Sequence, residues 1–150
     1  MLRLKPAEEF FKMANEKNIA VIVRVPLASG LLTGKMNTNS SFPENDHRNY
    51  NIKGDAFDVG ETFSGVDFGK ALEVVEELKS LTPEGFSLSQ LALKWILMHD
   101  EVSVVIPGAK NSDQALKNIS ASALPDIPNL MEKIENIYNT HLKNDIHPRW

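Results

Sequence analysis

The sequence predicts an α/β protein built on parallel strands, from three observations. Two short runs, Ile19-Ala20-Val21-Ile22-Val23 and Val102-Ser103-Val104-Val105-Ile106, are largely apolar and β-branched. Segments of helical period flank both runs. Each run leads into a glycine-bearing turn, Arg24 to Lys35 after the first and Ile106 to Gln114 after the second. Continuous apolarity, in place of strict alternation, is the pattern of a strand covered on both faces, which favours parallel pairing. Loops that follow such strands lie at the edge where α/β proteins bind ligands.

Composition narrows the rest. The chain has 150 residues, 42% hydrophobic and 24% charged, an ordinary globular composition for about one domain. A formal charge of −4 and scattered lysines leave no basic face for a nucleic-acid backbone. The absence of cysteine excludes a disulfide framework and a thiolate metal site, and suits a reducing cytosol, so a cytoplasmic location is expected. The opening Met1-Leu2-Arg3-Leu4-Lys5-Pro6, followed by Glu8 and Glu9, has no apolar core of a signal peptide. Both strand runs are far shorter than the roughly 20 residues a membrane span needs.

Along the chain, Pro6 suits a first helical position, and Ala7, Phe10, Phe11, Met13 and Ala14 form an apolar face that ends at Lys17-Asn18. The strand at 19–23 follows. Residues 26–66 are rich in Gly, Asn, Ser, Pro and Asp, with aromatic residues at Phe42, Tyr50, Phe57 and Phe63 and the pair His47-Arg48. This length inside a domain implies a functional loop or lid docked on a surface. Ala71, Leu72, Val74, Val75 and Leu78 mark a helix entered near Asp67 and stopped by Leu81-Thr82-Pro83-Glu84-Gly85. Ser87-Leu88-Ser89-Gln90 fits a capping box, opening a helix whose buried stripe is Leu88, Leu91, Ala92, Trp95 and Met98. After the second strand, Asn111 or Ser112 opens a helix through Ala115, Leu116 and Ile119. A last helix runs from about Pro128 to Lys143, and Asn144 to Trp150 are expected as coil.

Two strands and about five helices make an incomplete sheet, because parallel strands need neighbours on both edges. Residues 1–150 therefore read as one partial domain.

The first turn carries small residues at Ala28, Ser29, Gly30 and Gly34, with Thr33 and Lys35 able to donate to an anion. It is either a phosphate cradle or an ordinary strand exit; it is not a Walker sequence. In the second, Gly108, Lys110, Asn111 and Ser112 lead into a helix N-terminus, a better anion site that Asp113 partly offsets. Histidines 47, 99, 141 and 147 form no metal-ligand spacing. His99 is expected to end a helix as a partly charged imidazole, and the other three to be solvated. Trp95 reads as core, Glu73, Glu76 and Glu77 as a wet helix face, and no nucleophile with an adjacent base is present.

The two turns, with Leu91-Ala92-Leu93-Lys94-Trp95-Ile96-Leu97 between them, resemble the C-terminal half of the aldo/keto reductase family, especially its bacterial members. Pro26 to Lys35 is similar to the family's loop after barrel strand seven, and Ile106 to Lys110 with Gln114 and Asn118 to the segment after strand eight. The resemblance implies part of a (β/α)8 barrel, of which 150 residues cannot close the roughly 250 required. It also implies an NADP(H) cofactor. Leu27, Ser29, Leu31 and Lys35 would line the pyrophosphate; Gly108, Lys110 and Asn111 would meet the adenosine 2′-phosphate; Gln114 and Asn118 would lie on the adenine side. Arg24 stands where family members often carry an aromatic residue against the nicotinamide, and Val25 where they often carry serine. The family's catalytic Asp, Tyr, Lys and His come from the half that precedes these turns, so no catalytic residue is assigned. The resemblance implies a truncated, cofactor-binding chain that is silent in catalysis alone. The alternative is a non-catalytic module that pairs through exposed strand edges with a missing N-terminal half-barrel or with another copy.

Overall fold

The computed structural model describes residues 1–51, 63 and 65–149; Phe57 and the rest of 52–62 in the expected lid lie outside the described residues. A π-helical turn Ala7–Phe11 runs into α1 (Lys12–Glu16) and then β1 (Val21–Arg24). A kinked 3-10 segment Ala28–Thr33 and the short α2 (His47–Tyr50) follow. Then come α3 (Phe68–Leu81), α4 (Leu88–Leu97), β2 (Val102–Ile106), α5 (Ser112–Ser120), α6 (Pro128–His141) and α7 (Lys143–Ile146). No helix among the described residues is long and apolar enough to cross a membrane.

The two strands form a parallel two-stranded sheet, with Ile22 opposite Val104 and Arg24 opposite Ile106. This is the α/β architecture that the β-branched runs predict, but the expected burial of both faces is not found. Val21 is 6% exposed, whereas Ile22 is 61%, Val104 41% and Ile106 54% exposed. The alternation along each strand places Ile22, Arg24, Val104 and Ile106 on one face, and that face is bare. The opposite face, with Val23 and Val105, packs toward the core, and Val102 joins it because the register shifts at that end of the ladder, interrupting the alternation. Strand β1 also begins two residues later than the sequence suggests, leaving Ile19 49% exposed.

The core sits among helices, beside the sheet. Leu31 and Leu32 of the 3-10 segment, Val74, Val75 and Leu78 of α3, Leu91 and Trp95 of α4, and Ile134 and Tyr138 of α6 fill it. Asp67 caps α3 by accepting from Lys70 N–H at 3.1 Å. The capping box of α4 is present, with Ser87 N–H donating to Gln90 Oε1 at 3.0 Å and Gln90 N–H to Ser87 Oγ at 3.3 Å. Lys94, read only as part of the helical motif, is buried and pairs with Asp126 at 2.8 Å, which offsets the cost of covering its ammonium. Residues 143–149 are not coil: α7 and a 3-10 turn His147–Arg149 continue the chain. The apolar face of the stretch from Ala7 to Glu16 is thinner than its period suggests, since only Ala14 is buried while Phe10 and Met13 are exposed.

Gly34 closes the 3-10 segment at φ 71°, and a Cβ there would lie 2.8 Å from Lys79 Cε and 3.3 Å from Leu88 Cδ2. Gly34→Ala should therefore cost more stability than Ser87→Ala, for which loss of the cap predicts about 1 kcal/mol. Urea unfolding midpoints, at unchanged slope, check the order.

Candidate functional site

The in-register parallel pairing decides where the two turns go. Because Arg24 and Ile106 end their strands side by side, the chain leaves both toward the same edge of the sheet. The segments beginning at Val25 and at Pro107 are thus neighbours in space, although more than eighty residues separate them in sequence.

The first segment is conformationally costly. Val25, Ala28 and Ser29 have φ of 50°, 47° and 53°, and Gly30 has 99°. Left-handed backbone at non-glycine residues costs of order 1–3 kcal/mol each, most for a β-branched residue such as valine. Ala28 N–H to Val25 O at 3.1 Å, Gly30 N–H to Leu27 O at 3.0 Å and Leu32 N–H to Leu27 O at 3.2 Å hold the turn. Leu31 and Leu32, both fully buried, anchor it to the helical core. Of the residues placed here from sequence, Leu27 and Ser29 are half-buried and Lys35 is exposed, while Leu31 can offer a ligand only its main chain. Thr33 is not free to donate to an anion, since its hydroxyl donates to Gly30 O at 2.6 Å.

A residue that sequence reading did not assign completes this turn. Arg48 Nη1 lies 3.6 Å from the Cβ position of Gly30, beside Met36 Cε at 3.0 Å. Asp46 holds that guanidinium: its carboxylate accepts from Arg48 N–H at 2.9 Å, from Nε at 2.8 Å and from Nη2 at 2.6 Å. The guanidinium also stacks over Phe42, 4.4 Å from the ring centroid. The side-chain and main-chain hydrogen bonds from Arg48 keep the Asp46 carboxyl well below the usual carboxylate range. The described part of the 26–66 loop therefore folds back over Gly30. The signal in the sequence was the His47-Arg48 pair among aromatics; which surface it meets is a tertiary fact.

The second segment is unstrained and tied to itself. Asn111 caps α5, its Oδ1 accepting from Gln114 N–H at 2.9 Å. Gln114 Oε1 accepts from Lys110 N–H at 2.8 Å, and Asn118 Nδ2 donates to Gly108 O at 3.2 Å. Gly108, Lys110, Asn111, Gln114 and Asn118 are thus brought into one hydrogen-bonded unit. Nothing lies within 4 Å of the Cβ position of Gly108, so a ligand can approach its backbone. Lys110 and Lys35 are both exposed, and neither meets a carboxylate among the described residues. Two unpaired ammonium groups, open space over Gly108 and a rigid turn at Ser29-Gly30 fit an extended diphosphate ligand.

The histidines differ from expectation. His99 lies two residues beyond the end of α4 rather than closing it, and burial lowers its pKa, so the neutral imidazole is favoured, packed edge-on to Trp95 at 4.6 Å and Phe11 at 5.7 Å. His141 is paired with Glu77 at 3.0 Å, and His147 bridges Tyr138 Oη at 2.9 Å and Glu8 at 3.2 Å, so neither is simply solvated. His47 is half-exposed beside Asp46.

The model of the aldo/keto reductase family matches residues 1–139. The chain is 28% identical over 118 residues to the aldo-keto reductase yakc [NADP(+)] of Schizosaccharomyces pombe, covering 78% of this chain and 32% of that protein. It is 30% identical over 148 residues to the "Probable voltage-gated potassium channel subunit beta" of Arabidopsis thaliana, covering 94% and 42%. Among solved structures, the glycerol dehydrogenase of Gluconobacter oxydans superposes with a TM-score of 0.73 at 26% identity, over 97% of this chain and 42% of that one. The chain spans between 32% and 42% of the length of these relatives.

A carboxyl whose pKa is depressed on folding contributes stability above its unfolded pKa, and loses it as pH falls through the folded value. The Asp46–Arg48 clamp should consequently survive acidification past the ordinary carboxylate value of 3.8 and open only in stronger acid. The pH dependence of the Arg48 Nε resonance, with Asp46→Asn as the open reference, checks this.

Proposed function

Because this chain belongs to the aldo/keto reductase family, matched over residues 1–139, we propose that it carries the NADP(H) grip of a carbonyl-reducing oxidoreductase. The observation that carries the reading is the parallel register that sends both glycine turns to one edge of the sheet. Leu27, Ser29 and the main chain of Leu31 line the pyrophosphate, with Lys35 supplying charge and the Asp46-paired Arg48 covering Gly30. Gly108 and Asn111 admit the adenosine 2′-phosphate beside the ammonium of Lys110. Gln114 and Asn118 hold that loop in shape and face the adenine side. A lysine at position 110 favours the extra phosphate of NADP(H) over NAD(H), though without the two-pronged fit of an arginine. The NADP(+) in the name of the Schizosaccharomyces pombe relative agrees with this preference.

When bound, the nicotinamide supplies hydride to a carbonyl carbon in the complete enzyme. This chain orients the cofactor and neutralises its phosphates. It offers no group to polarise the carbonyl or to protonate the product, since Tyr50, Tyr138 and the four histidines match none of the family's catalytic positions. Alone it is silent in catalysis.

A second reading, favoured by the two-stranded sheet in which each strand has one edge with no strand beside it among the described residues, is a module that associates through its strand edges with the rest of a barrel or with another copy.

NADPH fluorescence titration should show saturable binding that Lys110→Glu weakens by at least about tenfold, roughly 1.4 kcal/mol, with a smaller loss for NADH. Unchanged affinity in Lys110→Glu would remove that lysine from the site. NADPH oxidation with a panel of aldehydes should stay at background; turnover that depends on a residue of this chain would sink the assignment of silence.

A further inference from the structure

Two cavities meet at His99. One of about 340 Å³ runs along β1 into the first turn, from Val21 to Pro26, and one of about 210 Å³ opens beside α6; Leu4, Ala7, Phe11 and His99 are walls of both. The imidazole meets two rings, Trp95 of α4 at 4.6 Å and Phe11 at 5.7 Å, and its Nε2 is buried with no hydrogen-bond partner among the described residues. The main chain here is held: His99 N–H donates to Ile96 O at 3.2 Å and Val102 N–H to His99 O at 2.9 Å, which leaves the side chain as the part that can move. The stretch from Ala7 to Glu16 buries only Ala14, so the Phe11–His99 contact is its aromatic attachment to α4 and the turn after it. The charges are sorted about this ring. Beside His99, the charged groups on the first cavity are all positive, the Met1 amino group, Arg3 and Arg24, and those on the second are all negative, Glu8, Glu101 and Glu135. Asp100, next in the chain, adds a fourth carboxylate, while Glu8 is already shared by Lys143 at 3.0 Å and His147 at 3.2 Å.

We propose that His99 is an acid-sensitive pin: neutral, it holds the stretch Ala7–Glu16 to α4 through Phe11; protonated, it swings into the second cavity toward Glu101 and Glu135, and the stretch comes away. With its proton on Nδ1, the neutral ring leaves Nε2 a bare acceptor. A second proton makes Nε2 a buried donor without an acceptor and sets a charge among apolar walls, two penalties of one sign. The field between a cationic and an anionic cavity then drives the charged ring out of the first and toward the second. Burial and the Met1 amino group lower the pKa of the ring, against a smaller opposite pull from Glu101 and Asp100. A base lowered in this way contributes its stability in full above its ordinary value of 6.5 and loses it as pH falls below that value, until the folded ring takes up the proton as well. Release frays β1 from Val21, where the ladder is irregular. Two other groups face the stretch. His147 meets it through Glu8 at 3.2 Å, and a proton on that ring strengthens the pair, opposing release. The Met1 amino group, which burial lowers to about 5, charges only at lower pH. Neither the NADP(H) grip nor association through strand edges enters this device.

Proton NMR titration of the intact chain should give the His99 ring a midpoint below 6.5. Between about pH 7.5 and about pH 5.5, protection of the amides from Ala7 to Glu16, corrected for intrinsic exchange, should fall about tenfold relative to those of α4. His99→Gln keeps a polar side chain that does not titrate and should leave protection equal at the two pH values; His99→Phe serves if that variant folds poorly. Phe11→Leu should lower protection already at the higher pH. A His99 midpoint at or above 6.5 would overturn the proposal, because the charge would then be held by the aromatic rings or the carboxylates. So would a fall in protection that persists in His99→Gln: if N-terminal acetylation then removes it, the Met1 amino group is the responsive one, and if it does not, the pairs at Glu8 are.

Discussion

The placement of both glycine turns depends on one long-range contact, the parallel ladder that sets Arg24 beside Ile106. Its backbone bonds and the packing of Val23, Val102 and Val105 toward the core bring together two turns that are remote in sequence. A shift of one residue in that register would exchange the faces of a strand and carry Ile22 or Val104 into the helical core. The ladder is short and irregular between Val21 and Ile22. Much of its stability therefore comes from α4 and the 3-10 segment, which pack against the same core and fix where each strand ends.

The strained turn after β1 follows from that arrangement. Leu31 and Leu32 are pulled into the core, and the chain between Val25 and Leu31 has to reverse within a few residues. It does so with four residues at positive φ, and only Gly30 adopts it without steric cost. The burial of two leucines opposes this strain, and Arg48 with Asp46 closes over the turn from outside. The second turn needs no such device, because Asn111, Gln114 and Asn118 tie it together through side chains on a helix that is already formed. One loop is held by packing and the other by hydrogen bonds.

Those differences explain what could be read in advance. Local signals were legible: the Ser87–Gln90 capping box, the Asp67 entry to α3, the Asn111 entry to α5 and the two β-branched runs are each written in a few adjacent residues. The buried Lys94 was not legible, because its partner Asp126 lies on another segment and nothing local marks the pair. Arg48 is legible in sequence as a charged residue in an aromatic loop, but its contact with Gly30 is tertiary. The strands looked buried on both faces because their composition is that of a barrel wall, apolar toward helices and apolar toward the interior. Here only the helical side is covered, and Ile22, Val104 and Ile106 show the other. The same gap left His141 and His147 looking solvated, since their partners Glu77 and Glu8 are distant in sequence.

A barrel divides labour among its strands, and the division bears on what a part of one can do. Binding energy for an extended dianionic or trianionic ligand is spread over backbone, lysine and arginine groups, and a subset of them can retain a weakened grip. Catalysis has no such graded subset. Hydride transfer needs a carbonyl held at the nicotinamide with a proton donor in reach of its oxygen, and removal of the donor removes the acceleration it provides. The lysines at positions 35 and 110 stand in separate loops at one sheet edge, whereas the bare face of Ile22, Val104 and Ile106 offers apolar side chains with only Arg24 for charge. Arg24 presents a planar guanidinium there, a set of donors with no acceptor atom. A face of that composition is complementary to other apolar side chains, whereas the charge that an anionic ligand needs gathers in the loops at the sheet edge.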